Sequence, residues 1–223
     1  MKELLREKKL LDREIIAIFK EAKVCKKCYG KTHLCVPLPD EKNGGIGAKI
    51  LFINERPGRR GAGKSGRISF DNEDPTARFF KELFLSISIS RKDIFITNAV
   101  LCYPLFEWWV DTPPQRKQIK NCFPFLKRQI RIIHPKLIVT LGVTALQAVK
   151  YLFPNSTQLK NFKLKNDIGG VITDVTPFVY LLYHTSSRAR VTRPKQKQKE
   201  DWQKIPVILE DIEVKKYPCG LEE

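Results

Sequence analysis

Four short apolar runs, separated by stretches of helical character, constrain this chain's fold more than any other feature. They are Ala48-Lys49-Ile50-Leu51-Phe52-Ile53, Asp93 to Thr97, Lys136 to Leu141 and Phe178 to Tyr183. Runs of this length without polar alternation are strands buried on both faces, and strands that alternate with helices make a parallel sheet. Asp74-Pro75 opens one helix through Phe84. Thr112-Pro113-Pro114 opens another, with proline at the first helical positions, and a third runs from Val143 to about Leu152. Residues 2–23 read as an amphipathic helix with Leu4, Leu5, Leu10, Leu11, Ile15, Ile18 and Phe19 on or near one face. Val171 to Asp174 is an extra strand, and Trp202 to Ile212 is mainly helical. The expected fold class is α/β, a three-layer α/β/α sandwich with a central, mainly parallel sheet. One domain over 1–223 is expected, with 1–24 an N-terminal helix and 195–223 a basic C-terminal extension.

Lys and Arg number 41 against 24 Asp and Glu, a net charge of +17. Such an excess attracts polyanions, of which nucleic acid is the commonest inside cells. The charge is concentrated in two loop-like runs, Arg56-Pro57-Gly58-Arg59-Arg60 and Arg188 to Lys199. Each follows an apolar run, which places both at one edge of the sheet. No apolar run approaches the roughly 20 residues of a membrane span. The amino terminus is charged on helical spacing, unlike a signal peptide. A cytoplasmic, monomeric protein with no membrane partner is expected.

Asn98, in Thr97-Asn98-Ala99-Val100-Leu101-Cys102, stands where open α/β sheets bind ligands, at a strand's carboxyl end. Six cysteines are too few for a secreted disulfide scaffold of this length. Cys25-x-x-Cys28 therefore reads as metal or redox chemistry, with Cys102 and Cys122 as partners. Four thiolates bind an iron–sulfur cluster or structural zinc. One close pair plus two scattered cysteines suits a 4Fe-4S cluster, with zinc as the alternative. Cys35 and Cys219 are left over. Gly58 to Ser65 also matches G-x-x-x-x-G-K-[ST] letter for letter. A phosphate-binding loop starts a helix at its Lys-Ser, and Gly66-Arg67-Ile68-Ser69 is a poor helix start. A Gly- and Arg-rich loop along a DNA backbone explains the same letters.

Several separated segments resemble the iron–sulfur (family 4) branch of the uracil-DNA glycosylase superfamily. Asn54-Glu55-Arg56-Pro57-Gly58 is similar to its Gly-Glu-Ala-Pro-Gly, and Gly66-Arg67-Ile68-Ser69-Phe70 to its Gly-Arg-Pro-Phe. Thr97 to Cys102 resembles Asn-x-Val-Lys-Cys. Leu141-Gly142 opens a helix as in that family, and His184-Thr185-Ser186-Ser187 stands in the place of His-Pro-Ser, with Arg190 at the offset of the family's arginine. The departures are Asn54 for glycine, Arg56 for a small residue, an extra residue before Gly66-Arg67, Thr185 for proline, and a longer span from Cys102 to Cys122.

The resemblance implies excision of uracil from single- or double-stranded DNA, leaving an abasic site. The chemistry agrees. Such an enzyme flips a nucleotide into a pocket and reads its Watson–Crick edge. The Asn98 amide can accept from uracil N3–H and donate to O4, a pattern cytosine does not match. Phe70 is the candidate aromatic wall, with Arg56 and Gly58 also expected against the substrate. Departing uracil carries negative charge, and His184 is the candidate donor to O2. Glu55 is expected to orient water or support positive charge on the sugar. Arg60, Lys64, Ser186, Ser187 and Arg190 are expected to grip phosphates or fill the gap left by the flipped base. Two alternatives remain: a glycosylase for hypoxanthine or xanthine, and a catalytically silent nucleic-acid-binding module of the same fold.

Overall fold

The structure is a computed structural model that describes residues 2–105 and 112–214, with side chains from residue 12 onward. Cys219, the chain beyond residue 214, and the side chains of Leu4, Leu5, Leu10 and Leu11 lie outside the described residues. The strands are β1 (Leu34–Cys35), β2 (Leu38–Pro39), β3 (Ile50–Asn54), β4 (Arg67–Ile68), β5 (Ile94–Asn98), β6 (Tyr103–Pro104), β7 (Leu137–Leu141), β8 (Val171–Ile172) and β9 (Phe178–Leu182). The helices are α1 (Lys2–Lys23), α2 (Ala62–Ser65), α3 (Pro75–Leu85), α4 (Arg116–Ile133), α5 (Val143–Leu152), α6 (Thr157–Asn161), α7 (Leu164–Asp167), α8 (Ser187–Thr192), α9 (Lys195–Gln203) and α10 (Ile205–Val214).

The main sheet has the order β5-β3-β7-β9-β8. Its first four strands are parallel, and β8 closes the edge antiparallel to β9. These four parallel strands are the four apolar runs, buried throughout except at Asn54. Crossover handedness then sets the layers. The step from β3 to β5 runs one way along the sheet, and the steps from β5 to β7 and β7 to β9 run the other. Right-handed crossovers therefore put α3 on one face and α4 and α5 on the opposite one. On the α3 face, Phe52 meets the edge of Phe80 and stacks on Trp202 of α9 at 5.2 Å. Trp202 is 1% exposed, so the stretch read as a basic extension contributes to the core through α9. On the other face α4 packs against α5 and α1. Ile15, Ile18, Phe19 and Ala22 form the buried stripe of α1 at the expected helical spacing.

One local expectation is corrected. Pro113 and Pro114 precede α4 instead of starting it. Its N-cap is Gln115, which exchanges side-chain and backbone hydrogen bonds with Gln118 in a capping box, and the helix continues through Pro124. The Gly58–Ser65 segment lacks the helix that a phosphate-binding loop opens at its Lys-Ser, as its sequence leads one to expect. Its single helical turn, α2, ends at Ser65, with Gly66 left-handed (φ 71°) as its cap. The chain then enters β4, which pairs parallel with β2. No described helix is long and apolar enough to cross a membrane.

Candidate active site and cysteine centre

The connections of β3 and β7 leave in opposite directions, so a crevice opens outside their carboxyl ends. Glu55, Asn98 and His184 follow or end three parallel strands there, and all three line one cavity of about 280 Å³ with Phe70, Asp74 and Ser186. That volume lies near the small end of ligand pockets.

Asn98 ends β5 and is 3% exposed. Its Nδ2 is buried without a hydrogen-bond partner among the described residues. An unpaired buried amide costs about 1–3 kcal/mol, so a folded protein tolerates one where a ligand supplies the partner. The preceding residue is not idle: the Thr97 hydroxyl donates to Gln129 Oε1 of α4 at 2.7 Å, anchoring the strand end beneath Asn98.

His184 follows β9. The Ser186 backbone N–H donates to its Nδ1 at 3.1 Å. Nδ1 therefore carries the lone pair, and the neutral ring's proton sits on Nε2. Burial pushes the imidazole below its ordinary value, against the opposing pull of the Glu55 and Asp74 carboxylates. Gly142, at φ 91°, abuts this residue: a Cβ there would stand 3.2 Å from His184 Cβ. Glu55 is held by Thr144, whose hydroxyl donates to Oε2 at 2.8 Å.

Phe70 forms cavity wall, but its ring is already engaged. It stacks on Phe80 and Phe84 at 5.6 and 5.0 Å, and the Arg91 guanidinium lies 4.2 Å over it. Arg91 is itself fixed by Asp40, Asn43 and Asp71. Gly58 lines the cavity with open space where a Cβ would be, so fit does not demand a glycine there. Arg56 also lines the cavity, yet its guanidinium bonds the Tyr29 hydroxyl and the carbonyls of Cys102 and Thr112.

The basic residues are distributed unevenly. Arg60, on the loop after β3, and Lys64, in α2, are exposed, Lys64 standing 3.9 Å from Glu73. Ser186 caps α8 by accepting from the Ala189 N–H, and Ser187 is exposed at its first position. Arg190 and Lys195 both lie over the Phe79 ring. Arg193 is withdrawn from the surface run by two hydrogen bonds to buried Asp201.

Cys25, Cys28, Cys102 and Cys122 line a second, small cavity shared with Tyr29, Asn121 and their neighbours. Burial, first of all, pushes the Cys102 and Cys122 thiols up to about 12. A bound metal reverses that tendency, because thiols coordinate as thiolates. Two donors already aim at sulfur: Leu101 N–H at Cys122 Sγ (3.3 Å) and Asn121 Nδ2 at Cys28 Sγ (3.4 Å). Among the described residues, no three His, Cys, Asp or Glu side chains converge as a single ion requires.

A family model for the Uracil DNA glycosylase superfamily matches residues 41–205. The chain belongs to the uracil DNA glycosylase superfamily. Among curated members, the type-4 uracil-DNA glycosylase of Sulfurisphaera tokodaii is 30% identical over 193 residues, covering 81% of this chain and 78% of the relative. That of Thermotoga maritima is 30% identical over 184 residues, covering 76% and 77%. A type-5 uracil-DNA glycosylase of Pyrobaculum aerophilum is 28% identical over 156 residues, covering 64% and 63%. The superfamily match begins after Cys25 and Cys28, so that pair stands on its own spacing and on the shared cavity.

Three features of this superfamily member escaped the sequence reading. Asp74 signalled only a helix start, and it does cap α3 through Thr76 and Ala77, but its carboxylate also faces the cavity. Thr144 had a usable signal, its place in the first turn of a helix opening on the crevice. Tyr29 and Gln118 had none, since their shared contact spans 89 residues.

Proposed function

We propose that this chain is a monofunctional uracil-DNA glycosylase, hydrolysing the N-glycosidic bond of deoxyuridine in DNA to leave an abasic site. The observation that carries this reading is the buried, unpartnered Asn98 amide in a cavity of nucleobase size. It rejects cytosine, whose N3 accepts and whose N4 donates, by leaving like groups face to face. His184 donates from Nε2 to uracil O2 as the glycosidic electrons move onto the base, so negative charge on the leaving group is met by a fixed donor. A neutral imidazole suits that role, since it needs no proton from solvent. Glu55, oriented by Thr144, holds water against the anomeric carbon and faces the positive charge that grows on the sugar. Phe70 walls the flipped ring. Arg60, Lys64, Ser186, Ser187 and Arg190 take the strand on either side, and single- or double-stranded DNA is bound by a monomer. Residues 1–223 act as one catalytic domain of an intracellular, DNA-associated protein.

The cysteine set fits a 4Fe-4S cluster. One close pair and two cysteines from distant segments line a common space, a pattern that suits such a cluster. When bound, such a group ties together α1's exit, the segment after β5 and α4, and supplies no step of the hydrolysis.

The test is single-turnover excision from oligonucleotides carrying uracil, hypoxanthine or cytosine, by wild type and by Asn98→Ala. Uracil release that drops about a hundredfold or more in the variant is expected, with cytosine untouched by both. Equal release by both proteins would remove Asn98 as the reader. Release of hypoxanthine but not uracil would redirect the assignment to a purine lesion.

A further inference from the structure

The Arg56 side chain lines the active-site cavity and reaches residues of the cysteine centre. From Nη2 it donates to the Tyr29 hydroxyl (2.8 Å) and the Cys102 carbonyl (3.1 Å), and from Nη1 to the Thr112 carbonyl (3.3 Å). Tyr29 follows Cys28 directly. Its hydroxyl also accepts from Gln118 Nε2 at 2.7 Å, and Gln118 closes the capping box of α4, the helix that carries Cys122. One guanidinium therefore gathers all three cysteine-bearing segments: the Cys25–Cys28 turn through Tyr29, the Cys102 segment directly, and α4 through Tyr29 and Gln118.

The other end of Arg56 is equally specific. It follows Glu55 in the chain, within the loop whose backbone is fixed to the strand ends by Ala99 N–H to Asn54 O (2.8 Å) and Val100 N–H to Glu55 O (3.1 Å). That loop presents Glu55 to the cavity, and any slack in it moves the carboxylate relative to His184 and the bound sugar. A displacement of about 1 Å at such a group costs up to about a hundredfold in rate.

We propose that Arg56 is a positioning residue that couples the cysteine centre to the catalytic loop, so that the state of the metal site sets the placement of Glu55. The idea rests on the metal-centre reading above. It assigns Arg56 a role in kcat and not in gripping substrate, the part its position beside Glu55 suggested from sequence.

The test compares wild type with Arg56→Met and Tyr29→Phe, each with bound iron and after its removal by chelation. Bound iron, amide hydrogen exchange over residues 54–61, and steady-state excision are measured on each. Arg56→Met is expected to keep its iron, to lose about tenfold or more in kcat with KM within about twofold, and to exchange faster across the loop. Chelation is expected to speed loop exchange in wild type and to add little in Arg56→Met. Tyr29→Phe removes one oxygen without removing the ring, and is expected to shift exchange and kcat in the same direction by a smaller factor. A rise in KM at unchanged kcat makes Arg56 a substrate contact and overturns the proposal. So does unaltered loop exchange in iron-bound Arg56→Met, or in Tyr29→Phe should the first variant not fold. A wild type that excises uracil without binding metal overturns the metal-centre reading and this coupling together, leaving the glycosylase assignment in place.

Discussion

His184 shows how a single side chain is prepared by its surroundings. Ser186 fixes the tautomer, and Gly142 leaves room for the backbone and Cβ of His184. Burial pushes its imidazole below the ordinary value, against the pull of Glu55 and Asp74. His184→Ala is expected to lower single-turnover excision by about 10²–10³ while leaving DNA affinity within a few-fold, measured by quench-flow and gel shift. The pH dependence has a definite sign. Unfolded chain takes up a proton at this histidine as pH falls through about 6.5, and folded chain resists it. Stability from this residue therefore falls as pH drops below 6.5, and His184→Gln should flatten that part of the decline in urea midpoints. Asn98 and His184 were legible from sequence because each ends an apolar run, where α/β sheets place ligands. The engagement of Phe70 by Phe80, Phe84 and Arg91 was not, since a stack across elements leaves no local spacing. The direction of Arg56 was hidden for the same reason: its partners at 29 and 102 lie far away in the chain.

Helices and loops carry the next layer of the account. Asp74 accepts from the Thr76 and Ala77 N–H groups at 3.0 and 3.2 Å, satisfying the start of α3. Asp74→Ala is expected to cost about 0.5–2 kcal/mol in chemical denaturation; an unchanged midpoint would show the cap to be dispensable. The α2 segment illustrates a motif overruled by its context. Its letters match a nucleotide loop, but the helix ends where that loop's helix would begin, because Gly66 turns left-handed. Lys64 is left exposed and facing solvent. Pro113 and Pro114 suggest an earlier start for α4, whereas a glutamine pair three residues apart supplies the cap. The Gln115 N–H donates to Gln118 Oε1 at 2.9 Å, a contact that residue preference alone does not reveal.

At the scale of the whole molecule, an α/β/α body carries +17 charges and presents Glu55, Asn98 and His184 at one sheet edge. The strand–helix alternation was enough to give the layers and the parallel sheet. A strand at Val171 to Asp174 was legible too, but its antiparallel pairing with β9 and the core role of Trp202 depend on tertiary contact. Binding should weaken steeply with salt, and Lys64→Ala or Arg60→Ala should each reduce the slope of log K against log salt by about 1. An unaltered slope would take that loop off the DNA path. The central claim is tested most directly by incubating soluble, metal-replete protein with a single-stranded oligonucleotide carrying one uracil, then splitting the sample with and without alkali. A break at the uracil position is expected only after alkali, as an abasic site without strand cleavage requires. No alkali-sensitive product at any enzyme concentration would contradict it and leave a nucleic-acid-binding module on a glycosylase fold.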